Sequence, residues 1–381
     1  VNSVLIHSAT KVDADGETPD FWLVAIGNAI AATGIGTGWQ EHRADRVING
    51  TGHYLTPGFL DLHIHGGGGY SHEDGNDAIS QSLAAHHPHG TTRAVASLVS
   101  NPIDLLCRSL SQIAELSQTN PLLLGSHLEG PFLSVGKRGA HNENHLTDPT
   151  SERLDQLLEA AHGTLRQITL DPERPGAADA IDRLTAAGVV VAVGHTEAGY
   201  EKTLQALQDG ATLLTHSFNG MPGLHHRDPG PVGAALTGGA YLEVILDGQH
   251  VHPAVVAMLF TLAPHRIVLI TDAMAAAAAP DGRYLLGGLA VSVQDRVARL
   301  QTNGSLAGST LTLDESLKHG LAAGIPPASL IEALTLTPAR VLGLHQHLGL
   351  LRPGFAADLV LFDSDWHIVS VRAEGNWLYH P

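Results

Sequence analysis

The chain has 381 residues, 43% of them hydrophobic and 15% charged, a balance that suits a soluble globular enzyme with a large core and excludes a disordered chain. Lysine and arginine number 21 against 38 aspartates and glutamates, a formal charge of −17, so no basic field exists to recruit nucleic acid or an anionic membrane. The single cysteine, Cys107, excludes an intrachain disulfide and a thiolate-rich zinc site; in the run Leu105-Leu106-Cys107-Arg108 it reads as buried filler.

Residues 1–57 read as short strands (3–7, 22–26, 29–33 and 46–49) separated by Gly, Asp and Asn turns. The chain does not open with a basic stretch followed by an apolar one, and no apolar run reaches ~18–20 residues. The expectation is a soluble cytoplasmic protein. After Pro57 short apolar runs alternate with amphipathic stretches. Strands are expected at 59–65, 92–98, 122–128, 167–170, 189–193, 212–216, 241–246 and 267–270, with helices at 151–162, 177–187, 200–209 and 253–262. Eight apolar strands with intervening helices predict a (β/α)8 TIM-like barrel, its parallel sheet buried on both faces. Further on, 275–279 is an alanine run expected to be a mobile loop, 281–300 holds strand-like pieces, and 310–323 and 327–342 read as helices. Strands return at 354–363 and 367–371. The α/β organisation expected is a barrel over 58–342 and a small β-sandwich domain built from both termini, 1–57 and 343–381.

The expected strands end in polar residues. The first ends in His63 and His65, which share a face because strand alternation has period two; Gly66 to Gly69 follow and would let backbone crowd close to a bound group. The third strand ends in Glu129, the fifth in His195, the sixth in His216, and the eighth runs into Thr271 and Asp272. The carboxyl ends of barrel strands form an active-site rim, so four histidines and two carboxylates converge there. Any one histidine could equally be a hydrogen-bonded structural residue; six such groups on strand ends point to a divalent metal. Imidazole and carboxylate suit Zn2+ or Fe2+, which activates water for attack on an amide, an ester or a ring C–N bond. Asp272 is the natural proton handler.

These stretches are similar to the amidohydrolase superfamily: Thr56-Pro57-Gly58-Phe59-Leu60-Asp61-Leu62-His63-Ile64-His65 near the start, Leu336-Thr337-Pro338-Ala339-Arg340 and Leu351-Arg352-Pro353-Gly354 near the end. His127-Leu128-Glu129-Gly130-Pro131, Gly139-Ala140-His141-Asn142, Gly194-His195-Thr196, Thr215-His216-Ser217-Phe218-Asn219-Gly220 and Thr271-Asp272-Ala273 resemble its branch of amino sugar phosphate deacetylases. The resemblance spans nearly the whole chain. It implies hydrolysis of N-acetylglucosamine 6-phosphate to glucosamine 6-phosphate and acetate. Glu129, His195 and His216 would hold the principal metal, His63 and His65 a second one bridged by Glu129, and Asp272 would be the catalytic acid and base. One or two ions per subunit are implied, Zn2+ before Fe2+.

For the substrate the resemblance implies Ala140, His141, Asn219, Gly220, Arg227, His250, Leu306, Ala307 and Gly308. His141 would contact the sugar or polarise the acetyl carbonyl. Arg227 and His250 would hold the phosphate, with Arg227 reaching the neighbouring subunit of a homodimer or dimer-based oligomer. Lys137 and Arg138 are weaker candidates for that task. Gly220 stands where alanine is frequent, a change expected to matter little, and Asp171 occupies a place usually apolar. Rival readings are an amidohydrolase of another N-acyl amino sugar phosphate or cyclic amide, and a non-catalytic sugar-phosphate-binding protein on the same barrel.

Overall fold

A computed structural model describes residues 3–380. Eight strands form its centre: β1 (Phe59–Ile64), β2 (Thr91–Val99), β3 (Leu123–Glu129), β4 (Leu165–Leu170), β5 (Val190–Val193), β6 (Leu213–Leu214), β7 (Tyr241–Ile245) and β8 (Ile267–Ile270). They pair in chain order, every pair parallel. The ring closes where Asp272 donates its backbone N–H to His63 O at 2.8 Å and Ile64 bridges Ala273. This is the expected TIM-like barrel. β2 is buried along its whole length, as a strand covered on both faces must be.

A helix follows each strand: α1 (Asn76–His86), α2 (Ile103–Thr119), α3 (Ser151–Ala160), α4 (Ala177–Ala186), α5 (Tyr200–Gln208), α6 (Gly230–Gly238), α7 (Pro253–Leu262) and α8 (Leu313–Ala322). Their local signals are ordinary. Thr150 caps α3 by accepting the Arg153 N–H, and Pro253 opens α7 with its preset φ. α1, α2 and α6 have no counterpart among the helices expected from the sequence. α6 contains three glycines that hide its helical pattern.

All eight terminal strands join one sheet, so the sandwich expected of the termini takes the form of a single bonded surface. Leu359–Phe362, from the C-terminal end, pairs antiparallel with Tyr54–Pro57. Val4, Ile6 and Leu23 share a core there with Leu359 and Leu361. Residues 281–300 form a separate three-stranded antiparallel sheet, Gly282–Leu286, Leu289–Gln294 and Val297–Leu300.

Four expectations need correction. The stretch 327–342 is two helices, Pro327–Leu334 and Leu336–Val341; Pro338 lacks an N–H and is tolerated only in a first turn, so the helix restarts before it. The alanine run 275–279 is not a loop exposed along its length: Ala275, Ala276 and Ala277 are buried, and it reaches solvent at Ala278. The glycines after His65 make room for the protein itself. A Cβ on Gly66 would lie 2.9 Å from Ala275 N, and one on Gly67 would lie 2.3 Å from the His86 ring. Finally, Cys107 is half-exposed between α2 and α3, its Sγ 3.5 Å from Gln156 O. Burial and the nearby Asp104 and Glu159 push its thiol pKa up, against a nucleophilic role.

Candidate active site

Six side chains meet at the carboxyl-end mouth of the barrel. His63 lies at the end of β1, with His65 just past it; Glu129 ends β3; His195, His216 and Asp272 each lie two residues past β5, β6 and β8. Those last three take left-handed backbone, with φ of 46°, 25° and 48°. Non-glycine residues rarely enter that region, and such strain concentrates at functional sites. Here it turns the side chains from the strand direction into the mouth.

Glu129 is the centre. Its Oε1 is 3.0 Å from His195 Nε2 and 3.0 Å from His216 Nε2, and those two nitrogens are 3.0 Å apart. His63 Nε2 stands 3.4 Å from the same oxygen. Oε2 faces His65 Nε2 at 3.2 Å and His141 Nε2 at 3.3 Å. Across the cluster, Asp272 Oδ1 is 3.4 Å from His65 Nε2 and 3.5 Å from His63 Nε2.

The partners of the other ring nitrogens decide which histidines can bind metal. His195 Nδ1–H donates to Lys137 O at 2.7 Å, and His63 Nδ1–H donates to Glu243 Oε2 at 3.2 Å. Each leaves a lone pair on Nε2 aimed at the cluster, as a metal ligand needs. His141 is set the other way: the Ser100 backbone N–H donates to its Nδ1 at 3.2 Å, so its Nε2 carries the proton. Burial pushes the His141 pKa down to about 4, keeping the ring neutral and a donor. His63, His65, Glu129 and Asp272 place candidate ligand atoms within 4.8 Å of one another, as do Glu129, His141 and His195. The tautomer removes His141 from the second set as a ligand.

The electrostatics fit a cation at the centre. Burial drives the Glu129 pKa up, yet the surrounding histidines, His63 foremost, hold it well below the carboxylate range. Burial likewise pushes His65 down, but Asp272 and Glu129 raise it to about 9. The cluster therefore demands positive charge, which a divalent ion supplies in place of protons. The buried Nδ1 of His216 has no hydrogen-bond partner among the described residues.

A cavity of about 220 Å³ opens beside the cluster. It gathers Ala140, His141, Asn219, Gly220, His250, Leu306 and Gly308 from the expected substrate residues, with Leu286 of the three-stranded sheet on its wall. Ala307 is fully buried in an apolar cluster behind it. Arg227 is exposed on the loop before α6, does not line this cavity, and has no ion pair among the described residues. Arg138 pairs with Glu143 at 3.0 Å, while Lys137 serves through its carbonyl. His250 is held by Asp247 at 2.7 Å; burial lowers its pKa, but that carboxylate more than offsets it. The Gly220 substitution does matter for packing: its φ is +62°, and a Cβ there would lie 3.0 Å from His195 Nδ1.

Several contributors escape the sequence reading. Glu243, Gln167, His127 and Ser100 are buried polar residues that touch the ligand set or its neighbours. A lone acid inside the apolar run Tyr241-Leu242-Glu243-Val244-Ile245 was the available signal. Asp171 gains a role, accepting the Thr196 hydroxyl at 2.5 Å and so fixing the turn after His195.

The profile of the amidohydrolase family matches residues 54–377. The chain is 40% identical over 327 residues to the N-acetylgalactosamine-6-phosphate deacetylase of Escherichia coli O157:H7, covering 84% of this chain and 86% of that one. It is 37% identical over 333 residues to the N-acetylglucosamine-6-phosphate deacetylase of Vibrio furnissii, covering 85% and 83%. Among solved structures it resembles N-acetyl-D-glucosamine-6-phosphate deacetylase of Mycobacterium smegmatis, in an aspartate-to-alanine form in complex with N-acetyl-D-glucosamine 6-phosphate. The TM-score is 0.94 and the identity 38%, over 99% of this chain and 100% of that chain.

Proposed function

The chain belongs to the amidohydrolase family, and from that premise we propose that it hydrolyses N-acetylglucosamine 6-phosphate to glucosamine 6-phosphate and acetate. The observation that supports this most is Asp272, free of any lysine or arginine partner among the described residues, facing a histidine-ringed Glu129 at the floor of a cavity.

Glu129, His195 and His216 would hold the principal divalent ion, and His63 and His65 a second. A donor set of imidazole and carboxylate favours Zn2+, with Fe2+ as the alternative. When bound, such an ion lowers the pKa of water and polarises a carbonyl. Asp272 takes the proton of the attacking water at its carboxylate. His141 Nε2–H donates to the acetyl carbonyl oxygen as negative charge develops there. Asp272 then returns its proton to the amide nitrogen as the C–N bond breaks, which leaves acetate and a free amine.

His250 and Arg227 would hold the phosphate, Arg227 as a bidentate fork. Its exposure and its absence from the lining of its own cavity support service to a neighbouring subunit in a homodimer. A cytoplasmic location goes with a phosphorylated sugar, which does not cross a bilayer unaided. The C4 epimer, N-acetylgalactosamine 6-phosphate, is the second reading, favoured by the Escherichia coli relative. Acetate release from the two epimers, measured side by side as kcat/KM, tests the choice; a higher value for the galactosamine compound reverses it.

A further inference from the structure

Glu243 is a buried carboxylate for which the reaction above has no task. Leu242 and Val244 of β7 join the core shared with Val256 and Leu259 of α7, which turns Glu243 to the opposite side of the strand. There it is fully buried. Oε2 accepts from His63 Nδ1–H at 3.2 Å and lies 3.4 Å from the His216 backbone N–H; Oε1 accepts from Gln167 Nε2 at 2.8 Å.

A charged carboxylate in such a place needs a compensating charge. Its only ion-pair partner among the described residues is His63. Glu129 and Asp272 are likewise paired only with histidines. Glu129, Asp272 and Glu243 therefore all face histidines with no lysine or arginine among them, and Asp61 adds a fourth buried carboxylate, accepting the His63 backbone N–H at 3.3 Å.

We propose that Glu243 is a positioning residue that makes the His63–His65 half of the cluster a metal site. This rests on the metal-dependent reading above. Glu243 fixes the His63 proton on Nδ1, points Nε2 at the cluster, and supplies charge that favours an ion over an empty site. Such outer partners alter metal affinity about 10–100-fold when removed. Gln167 in turn holds Glu243, and the Glu243 contact to the His216 amide ties the two halves of the cluster together.

The test counts metal without relying on turnover. Chelator-stripped wild type, Glu243→Gln, Glu243→Ala and His63→Asn proteins are titrated with Co2+, following its absorption bands, and with Zn2+, counting bound metal after desalting. Wild type is expected to hold two tight equivalents. Each Glu243 variant is expected to hold one tight equivalent, its second weakened about 10–100-fold, while His63→Asn, which removes the ligand itself, loses the second equivalent whether or not Glu243 is also replaced. Retention of the first equivalent reports that the variants are folded. Two tight equivalents in both Glu243 variants, or one in the wild type, overturns the role of Glu243. A wild type that takes up no metal overturns the metal-dependent reading instead.

Discussion

Asp272 and His65 face each other across the barrel mouth, Oδ1 to Nε2, at 3.4 Å. The aspartate reaches this place from a left-handed backbone at φ 48°, pinned by its N–H to His63 O and by the Ser309 N–H on its own carbonyl at 2.7 Å. Asp272 Oδ1 is thereby held 3.4 Å from His65 Nε2 and 3.5 Å from His63 Nε2.

Replacing Asp272 by asparagine keeps the shape and removes the basicity. Turnover is expected to fall about 10²–10⁴-fold, the usual range for a positioned acid–base group, while bound metal stays at the wild-type count. Wild-type kcat in metal-replete Asp272→Asn protein would remove Asp272 from the mechanism.

Metal removal is expected to abolish acetate release and lower thermal stability together, because the ion binds the folded chain and not the unfolded one. At a free Zn2+ concentration 100 times its Kd the stabilisation is about 2.7 kcal/mol. Calorimetric scans with and without chelator check this. An unchanged Tm with full activity after exhaustive chelation contradicts it.

Arg227→Ala is expected to raise KM for the phosphorylated substrate about 10–100-fold, the loss of one or two charge-assisted hydrogen bonds, with kcat largely kept. If Arg227 serves its neighbour, mixing Arg227→Ala with Asp272→Asn subunits recovers activity at low substrate that neither variant shows alone. No recovery after verified subunit exchange places Arg227 outside the partner's site.

His86 gives a pH dependence of stability. It is fully buried with Nε2–H on Gly66 O at 3.0 Å, and burial pushes its pKa down to about 4. Above about pH 6.5 the ring is neutral in both states and contributes no slope. Below that the unfolded chain binds a proton that the folded chain refuses, so stability falls with falling pH until about pH 4. The loss attributable to His86 is roughly 3 kcal/mol. Denaturant titrations at pH 7.5, 6 and 5 should show a shallower acid limb for His86→Gln than for wild type; parallel limbs refute the assignment.

The barrel and its polar mouth are legible because strands buried on both faces must be apolar, so a His or Asp that ends such a run stands out. His195, His216 and Asp272 are visible for that reason, although β6 extends only over Leu213–Leu214 and His216 lies in the turn beyond it. Glu243 hides by the same logic: it is one acid inside an apolar strand, and its value comes from His63, 180 positions away in the chain. The glycines after His65 mislead because a missing Cβ does not say what fills its space. The Tyr70 carbonyl and Ala275 crowd Gly66, the His86 ring crowds Gly67, and a Cβ on Gly69 would meet nothing within 4 Å.

Removal of an acetyl group from an amino sugar phosphate at this cluster is checked most directly by assaying Zn2+-replete protein on N-acetylglucosamine 6-phosphate, following acetate and free amine together. Equimolar release of both is expected, with a kcat/KM at least about tenfold above that for unphosphorylated N-acetylglucosamine, since a phosphate contact adds roughly 1.5–3 kcal/mol. Metal-replete, folded protein that binds the sugar phosphate and releases no acetate would contradict it.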